Sequence, residues 1–359
     1  MSDIVTDVFI ADPVRAALGE MLDSPPPALD EAAALQVLRD HYGLEGKAES
    51  LACERDANFR ITATGGRSFT MKLSNPAEPE GNINFQTEAL LWLEARDPTL
   101  PVPKVVRASD GRSEFPLVLP DGRISVIRVL TWLEGIPVAR GGAVSPELRR
   151  NLARGLARLG RAFEGFDHPA SRHEILWDIR NAARLRPLLR ELAEPDLRAL
   201  LMEELDHFEA VVSLRLAHMR QRVIHNDLNL HNAVFDPARP DEVSGILDFG
   251  DMVKTPLVID LAVACSYHTP GGPEVVADMV RAYHGILPLE PGEIALLRDL
   301  IVTRLMTTIA ITEGRAARYP QNAAYILRNN GPARQGLAAF ASLPRDQVSA
   351  MFRAACEME

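Results

Sequence analysis

The chain has 359 residues, 47% of them hydrophobic and 25% charged, an ordinary globular composition with enough apolar material for two packed lobes. Lys and Arg number 39 against 49 Asp and Glu, a net charge of -10 with no long basic run, which argues against a nucleic-acid partner or an anionic membrane surface and weakly suits a cationic substrate. Cys53, Cys265 and Cys356 are odd in number, widely spaced and outside any CxxC pattern, which argues against a disulfide framework or a zinc site and fits a reducing cytoplasm.

The opening stretch, MSDIVTDVFIADPVRAALGE, carries acids where a signal peptide needs positive charge, and no apolar run approaches the roughly 18 residues of a membrane helix. A complete, cytoplasmic protein is expected. "SPPP" at 24 to 27 is a breaker, and ALDEAAALQVLRDHYGL reads as a helix ended near Gly43. Residues 1–45 thus form an amino-terminal helical extension, which either packs on the first lobe or mediates a homodimer. In NFRITATGGRSFTMKL, two alternating segments flank a Gly65-Gly66 turn, the strongest hairpin signal in the chain. Phe69, Met71 and Leu73 share one face of the second strand, so Lys72 points the other way with Ser68 and Thr70.

NINFQTEALLWLEA places Phe85, Ala89 and Trp92 at helical spacing, with Glu88 one residue off the stripe, and Pro98, Pro101 and Pro103 stop the helix. A turn at Asp121-Gly122 leads into the apolar run ISVIRVLTWL, a buried strand broken by Glu134-Gly135 and Pro137. The lobe boundary falls there: residues 46–134 make a sheet-plus-helix first lobe and 135–359 a mainly helical second lobe. In the latter, Leu148, Leu152, Leu156, Leu159 and Phe163 keep one stripe, and helical patterns cover 178–220 and 292–312. AVFD and VSGILDFGD, joined by the turn-rich PARPDE, read as a small hairpin inserted among the helices.

The stretch VIHNDLNLHNAVFD, residues 223–236, crowds oxygen ligands among apolar residues. Its HxDxxxxN pattern is His225, Asp227 and Asn232, and Asp248 follows sixteen residues later in LDFGD. By themselves, Asp227, Asn229 and Asn232 also suit a plain turn, since Asx side chains bond their own backbone. Together with the strand-ended DFGD, the pattern resembles the catalytic and metal-binding segments of protein-kinase-like phosphotransferases. Phosphoryl transfer needs a carboxylate to orient the attacking hydroxyl and accept its proton, for which Asp227 is the candidate. It also needs hard oxygen ligands for Mg²⁺, for which Asn232 and Asp248 are the candidates. His225 braces the loop through hydrogen bonds and does not titrate in the mechanism. A strand lysine followed by a helical glutamate is how this class fixes nucleotide phosphates, which points to a Lys72–Glu88 ion pair. No GxGxxG loop is present. Where it would stand the chain has CERDANFRI, with Asn58 and backbone amides as candidates for covering the phosphates. Val129 to Leu133, including Leu130 and Trp132, is then the connector whose backbone meets the adenine.

HNDLNLHN, ILDFGD, VIDLAVA, ERDANF and FTMKL together resemble the aminoglycoside phosphotransferase and choline kinase superfamily, and within it hydroxylysine kinase and kinase modules fused to aminotransferases. The resemblance spans roughly residues 30–345. It implies an α+β, bilobal, protein-kinase-like fold, with ATP and Mg²⁺ as cofactors. The implied activity moves the γ-phosphoryl to a hydroxyl of a small amine-bearing molecule, hydroxylysine first and a homoserine-like or other hydroxy amino acid next. Where the family has glycine in HGD this chain has Asn226, which leaves Asp227 in place. An amino acid acceptor asks for an acid to meet its amine and a cation to meet its carboxylate. Glu174 and Asp178 are the candidate acids and Arg304 the candidate clamp, each with a plain alternative: solvation for Glu174, helix capping for Asp178, pairing with a structural acid for Arg304. Asp251 and Asp260 are expected to be structural, bracing the metal loop and capping the DLAVA helix. Two other readings stand beside this one: an aminoglycoside or amino-alcohol kinase, and a pseudokinase scaffold that holds nucleotide without turnover.

Overall fold

In the computed structural model the described residues are 24–53 and 55–357, so the reading of the first twenty residues as no signal peptide lies outside them. Helix α1, Glu31–Tyr42, begins where the Asp30 carboxylate accepts the Ala33 N–H at 2.7 Å and ends at Gly43 in the left-handed region, φ 62°. Its buried face, Ala34, Val37, Leu38 and Tyr42, joins one small core with the sheet that follows.

That sheet comprises β1 (Gly46–Leu51), β2 (Ala57–Ala63), β3 (Ser68–Leu73), β4 (Val105–Val106), β5 (Phe115–Val118) and β6 (Ile124–Thr131), all paired antiparallel. The order is β1-β2-β3-β6-β4, with β5 also on β6. The Gly65-Gly66 hairpin forms as expected, with Thr62 opposite Ser68 and Gly66 at φ 82°. Phe69, Met71 and Leu73 are buried, which turns Lys72 to the opposite face. Register then builds a row across four strands, because Leu51 faces Asn58, Asn58 faces Lys72, and Lys72 faces Arg128.

Helix α2, Glu80–Arg96, buries Phe85, Ala89 and Leu93 in the large core of the second half of the chain. The Trp92 indole N–H donates to the Ala162 carbonyl at 2.8 Å, which fastens α2 to helix α3, Pro146–Ala162. The Leu148 to Phe163 stripe of α3 is buried throughout. Between 178 and 220 the expected helix is instead broken into a 3-10 turn (Ile179–Leu185), short helical pieces, α4 (Pro195–His207) and a π-helical segment (Phe208–Val212). Pro187 and Pro195 cannot donate to a preceding turn, which is why the apolar pattern there outruns the helix.

Beyond β7 (Ile136–Pro137) and β8 (Gln221–Ile224), the inserted hairpin is β9 (Ala233–Asp236) and β10 (Arg239–Ile246). β7 adds a third strand to it, and β11 (Val253–Pro256) pairs with β8. Helices α5 (Val258–Ser266), α6 (Pro273–His284) and α7 (Pro291–Arg318) follow, α7 being buried along most of its length. Among the described residues no helix is long and apolar enough to cross a membrane.

Candidate active site

The turn after β8 carries Asp227. His225 and Asn226 are fully buried, and their backbone N–H groups donate to the two carboxylate oxygens of Asp260 at 3.3 and 2.8 Å. Asp260 lies in the first turn of α5, so it clamps the turn that carries Asp227 and does not cap its own helix, a correction to the expectation. Asn226 takes φ 63°, a conformation glycine adopts freely and Asn tolerates better than most residues. The Asp227 N–H donates to His225 Nδ1 at 3.3 Å, which leaves His225 Nε2 to donate to the Leu247 carbonyl at 2.9 Å. Burial holds the His225 imidazole below its ordinary pKa, so it stays neutral. The ring also packs edge-on to Phe249, with centroids 4.9 Å apart. His225 is therefore a tie between the turn and the DFGD strand end.

The Asp227 carboxylate is held on both sides. Asn229 and Asn232 donate to Oδ2 at 2.9 and 2.7 Å, while Tyr267 and Arg304 donate to Oδ1, both at 3.3 Å. Burial pushes its pKa up to about 6, against the pull of the Arg304 guanidinium. Asn229 Oδ1 also accepts the N–H groups of His231 and Asn232, so the turn-forming and site-forming readings of these residues are both realised. With Asn232 Nδ2 committed to Asp227, its Oδ1 is the atom left to meet a cation.

Asp248 sits at φ 60°, its carboxylate exposed at the mouth of the cleft. Desolvation there opposes its charge, but Lys72, 3.9 Å away, and the Gly250 N–H hold the carboxyl below its usual range. Burial followed by the charges of Asp227 and Asp248 pushes the Asp251 carboxyl up to about 7. The bracing expected of Asp251 is made by its backbone, whose carbonyl accepts the Asn226 side-chain N–H at 3.2 Å. Among the described residues no three His, Cys, Asp or Glu side chains form a metal nest by themselves. Asn232 Oδ1 and Asp248 fit a magnesium ion that takes its remaining ligands from phosphate and water.

Lys72, Asn232 and Asp248 line one cavity of about 280 Å³ together with Asn58, Leu130, Trp132, Leu133 and Arg128. Asn58 Oδ1 is buried there without a hydrogen-bond partner. The connector differs in detail from the expectation: the Trp132 N–H is spent on the Ser68 carbonyl at 3.2 Å, and Val129 is buried in the small core.

Three expected residues make other contacts. Glu88 is exposed on α2, and Lys72 reaches Asp248 instead, because the helix turns Gln86 and Thr87 toward the sheet, where Arg128 hydrogen-bonds both. Asp178 is fully buried, accepts the N–H of Arg180 at 3.0 Å and the hydroxyl of Thr255 at 3.1 Å, and caps the 3-10 turn. Glu174 is solvated and pairs with Arg184 at 2.9 Å. Arg304 does come to the site, but its guanidinium is engaged by Asp227, by the Tyr267 hydroxyl at 3.0 Å and by the Trp177 carbonyl at 3.0 Å, with the Trp177 ring 4.9 Å below it. Tyr267 and Trp177 carried no signal in the sequence.

A turn-borne carboxylate wrapped in amide and guanidinium donors, facing a cleft lined by a strand lysine, is the equipment of a phosphoryl-transfer enzyme. The chain belongs to the phosphotransferase enzyme family, whose model matches residues 52–297. It is similar to the hydroxylysine kinase of Mus musculus, 26% identical over 331 residues that cover 85% of this chain and 87% of the relative. It is also similar to the homoserine kinase of Methylobacterium nodulans, 28% identical over 282 residues, 72% of this chain and 79% of the relative. Among solved structures, the amicoumacin kinase hAmiN in complex with AMP-PNP, Ca²⁺ and Ami superposes with a TM-score of 0.67 at 14% identity, covering 89% of this chain and 97% of that one. The fold is therefore the α+β, protein-kinase-like one that the motifs imply, and the chain is a kinase-type phosphotransferase.

Proposed function

We propose that this phosphotransferase moves the γ-phosphoryl of Mg-ATP to a hydroxyl of a small amine-bearing molecule, with hydroxylysine or a similar hydroxy amino acid as the acceptor. The observation that carries the reading is the alignment of Lys72, Asn232 and Asp248 along one cavity, with Asp227 hydrogen-bonded to Asn232 at its end. The adenine would sit toward Leu130, Trp132 and Leu133 of the connector, which line the cavity. Bound Mg²⁺, held by Asn232 and Asp248, supplies neutralising charge to the phosphates.

Asp227 orients the acceptor hydroxyl and takes its proton as the new oxygen–phosphorus bond forms and the bond to the ADP oxygen breaks. Arg304 and Tyr267 keep the carboxylate in place, so the work of the site is positioning and charge complementarity. Similarity to hydroxylysine kinases over most of both chains favours a hydroxy amino acid. Asp227, Asp248 and Asp251 feel one another's charge, and such an acidic neighbourhood suits an acceptor that carries an ammonium group.

The test is release of ADP from Mg-ATP against hydroxylysine, homoserine, choline, ethanolamine and kanamycin, with Asp227→Asn as the blank. Selective turnover of a hydroxy amino acid, lost by roughly a hundredfold or more in the variant, is the expected result. Turnover of kanamycin alone makes the chain an aminoglycoside kinase, and turnover of choline or ethanolamine alone an amino-alcohol kinase. ATP binding with no Asp227-dependent turnover of any acceptor points to a nucleotide-holding scaffold.

A further inference from the structure

Three arginines among the described residues are buried: Arg128 and Arg298, each 3% exposed, and Arg304, 1% exposed. Two of them meet acids, as burial of a guanidinium demands. Arg298 lies 3.1 Å from both Glu204 and Asp299, and Arg304 lies 3.3 Å from Asp227. Arg128 forms no ion pair within the described residues. Its guanidinium touches Gln86 Oε1, the Ile83 carbonyl at 3.3 Å and the Thr87 hydroxyl at 3.5 Å, all of them neutral acceptors, and its Nε has no partner. The nearby Glu114 is intercepted, since its carboxylate receives the Thr87 hydroxyl.

Arg128 also stands directly opposite Lys72 on the neighbouring strand, and both line the cavity of the site. Two cations placed side by side repel each other, and the carboxylate at ion-pair distance is Asp248, 3.9 Å from Lys72. Asp248 is also the candidate metal ligand. A cation bound there claims that negative charge and leaves Lys72 without its ion-pair partner, while the charges of Asp56, Glu114 and Glu78 reach Arg128 from beyond ion-pair distance. A buried guanidinium with no ion pair of its own is better compensated when an anion enters. The cavity is where one can.

We propose that Arg128 is a second phosphate-binding cation of the cleft, acting with Lys72 on the phosphates of the nucleotide. The assignment rests on the nucleotide reading of the cavity given above. It also accounts for the missing strand-to-helix ion pair: Arg128 occupies the gap between Lys72 and α2, and Glu88 is not needed there.

The experiment is calorimetric titration of the acceptor-free protein with ATP, ADP and adenosine, for the wild type, Arg128→Met, Arg128→Lys, Lys72→Met and Gln86→Ala. Arg128→Met is expected to weaken ATP and ADP by about tenfold or more, the worth of one charge-assisted hydrogen bond, with adenosine unchanged. Arg128→Lys is expected to recover part of that loss. Gln86→Ala cuts the tether to α2 but keeps the charge, so it is expected to retain ATP affinity; this variant carries the test should Arg128→Met fail to fold. Unchanged ATP affinity in Arg128→Met overturns the proposal, and so do equal losses for ATP and adenosine, or a loss in Gln86→Ala as large as in Arg128→Met, which leave Arg128 only a brace for α2. Failure of the nucleotide reading looks different: the wild type binds no ATP, or Lys72→Met is as indifferent to it as Arg128→Met.

Discussion

Asp227 draws its character from four side chains, two of them within five residues and two on other elements. Asn229 and Asn232 are local, and a turn rich in Asx residues announces itself in the sequence. Tyr267 and Arg304 stand 40 and 77 residues away, and no spacing rule reaches that far. Burial raises the Asp227 carboxyl to about 6, so turnover is expected to fall as pH drops through that region and the base is protonated. Arg304→Gln removes a positive charge that favours the carboxylate, and its acid limb is expected to move to higher pH. A kcat/KM profile against pH that superposes on the wild type, with only its height changed, sinks this account of Arg304.

At the scale of elements, the rotational phase of α2 decides a role that motif spacing misassigned. Glu88 follows a strand lysine at a kinase-like distance, yet the helix commits Phe85, Ala89 and Leu93 to the core and turns Gln86 and Thr87 to the sheet. Glu88→Ala is therefore expected to leave ATP affinity within about twofold, as for other exposed side chains free of special contacts. A tenfold loss by calorimetry would restore the ion-pair reading. The contact of α5 with the turn that carries Asp227 runs the other way. Asp260→Ala strips two buried backbone N–H groups of their charged acceptor, each such bond being worth roughly 1.5–3 kcal/mol. The expected outcome is a melting temperature several degrees lower and a reduced kcat; thermal unfolding at the wild-type temperature would remove Asp260 from this role.

For the molecule as a whole, burial also reaches a titratable group next to Tyr267 that takes no hydrogen bond to the site. His268, 8% exposed just after α5, is held down to about 4 by burial and then by the Arg149 charge. Its folded pKa lies below the ordinary 6.5, so the unfolded chain binds the proton first as pH falls. The stability tied to neutral His268 is complete above 6.5 and lost on the way down to about 4, on the order of 3 kcal/mol. His268→Gln is expected to flatten that part of the stability curve in urea titrations at pH 7 and pH 4.5; an unchanged difference between the two refutes it. The sequence by itself determined the hairpin that presents Lys72, the paired motifs carrying Asp227, Asn232 and Asp248, and hence the kinase-like class. Alternation, turn chemistry and short loops all act within a few residues. Only the tertiary structure decided that Arg304 and Tyr267 grip the Asp227 carboxylate, that Asp178 and Glu174 are held by Arg180, Thr255 and Arg184, and that Arg128 and not Glu88 keeps company with Lys72. Those outcomes depend on strand register and helix phase across segments tens of residues apart, where packing and charge compensation choose among side chains that local pattern leaves equivalent.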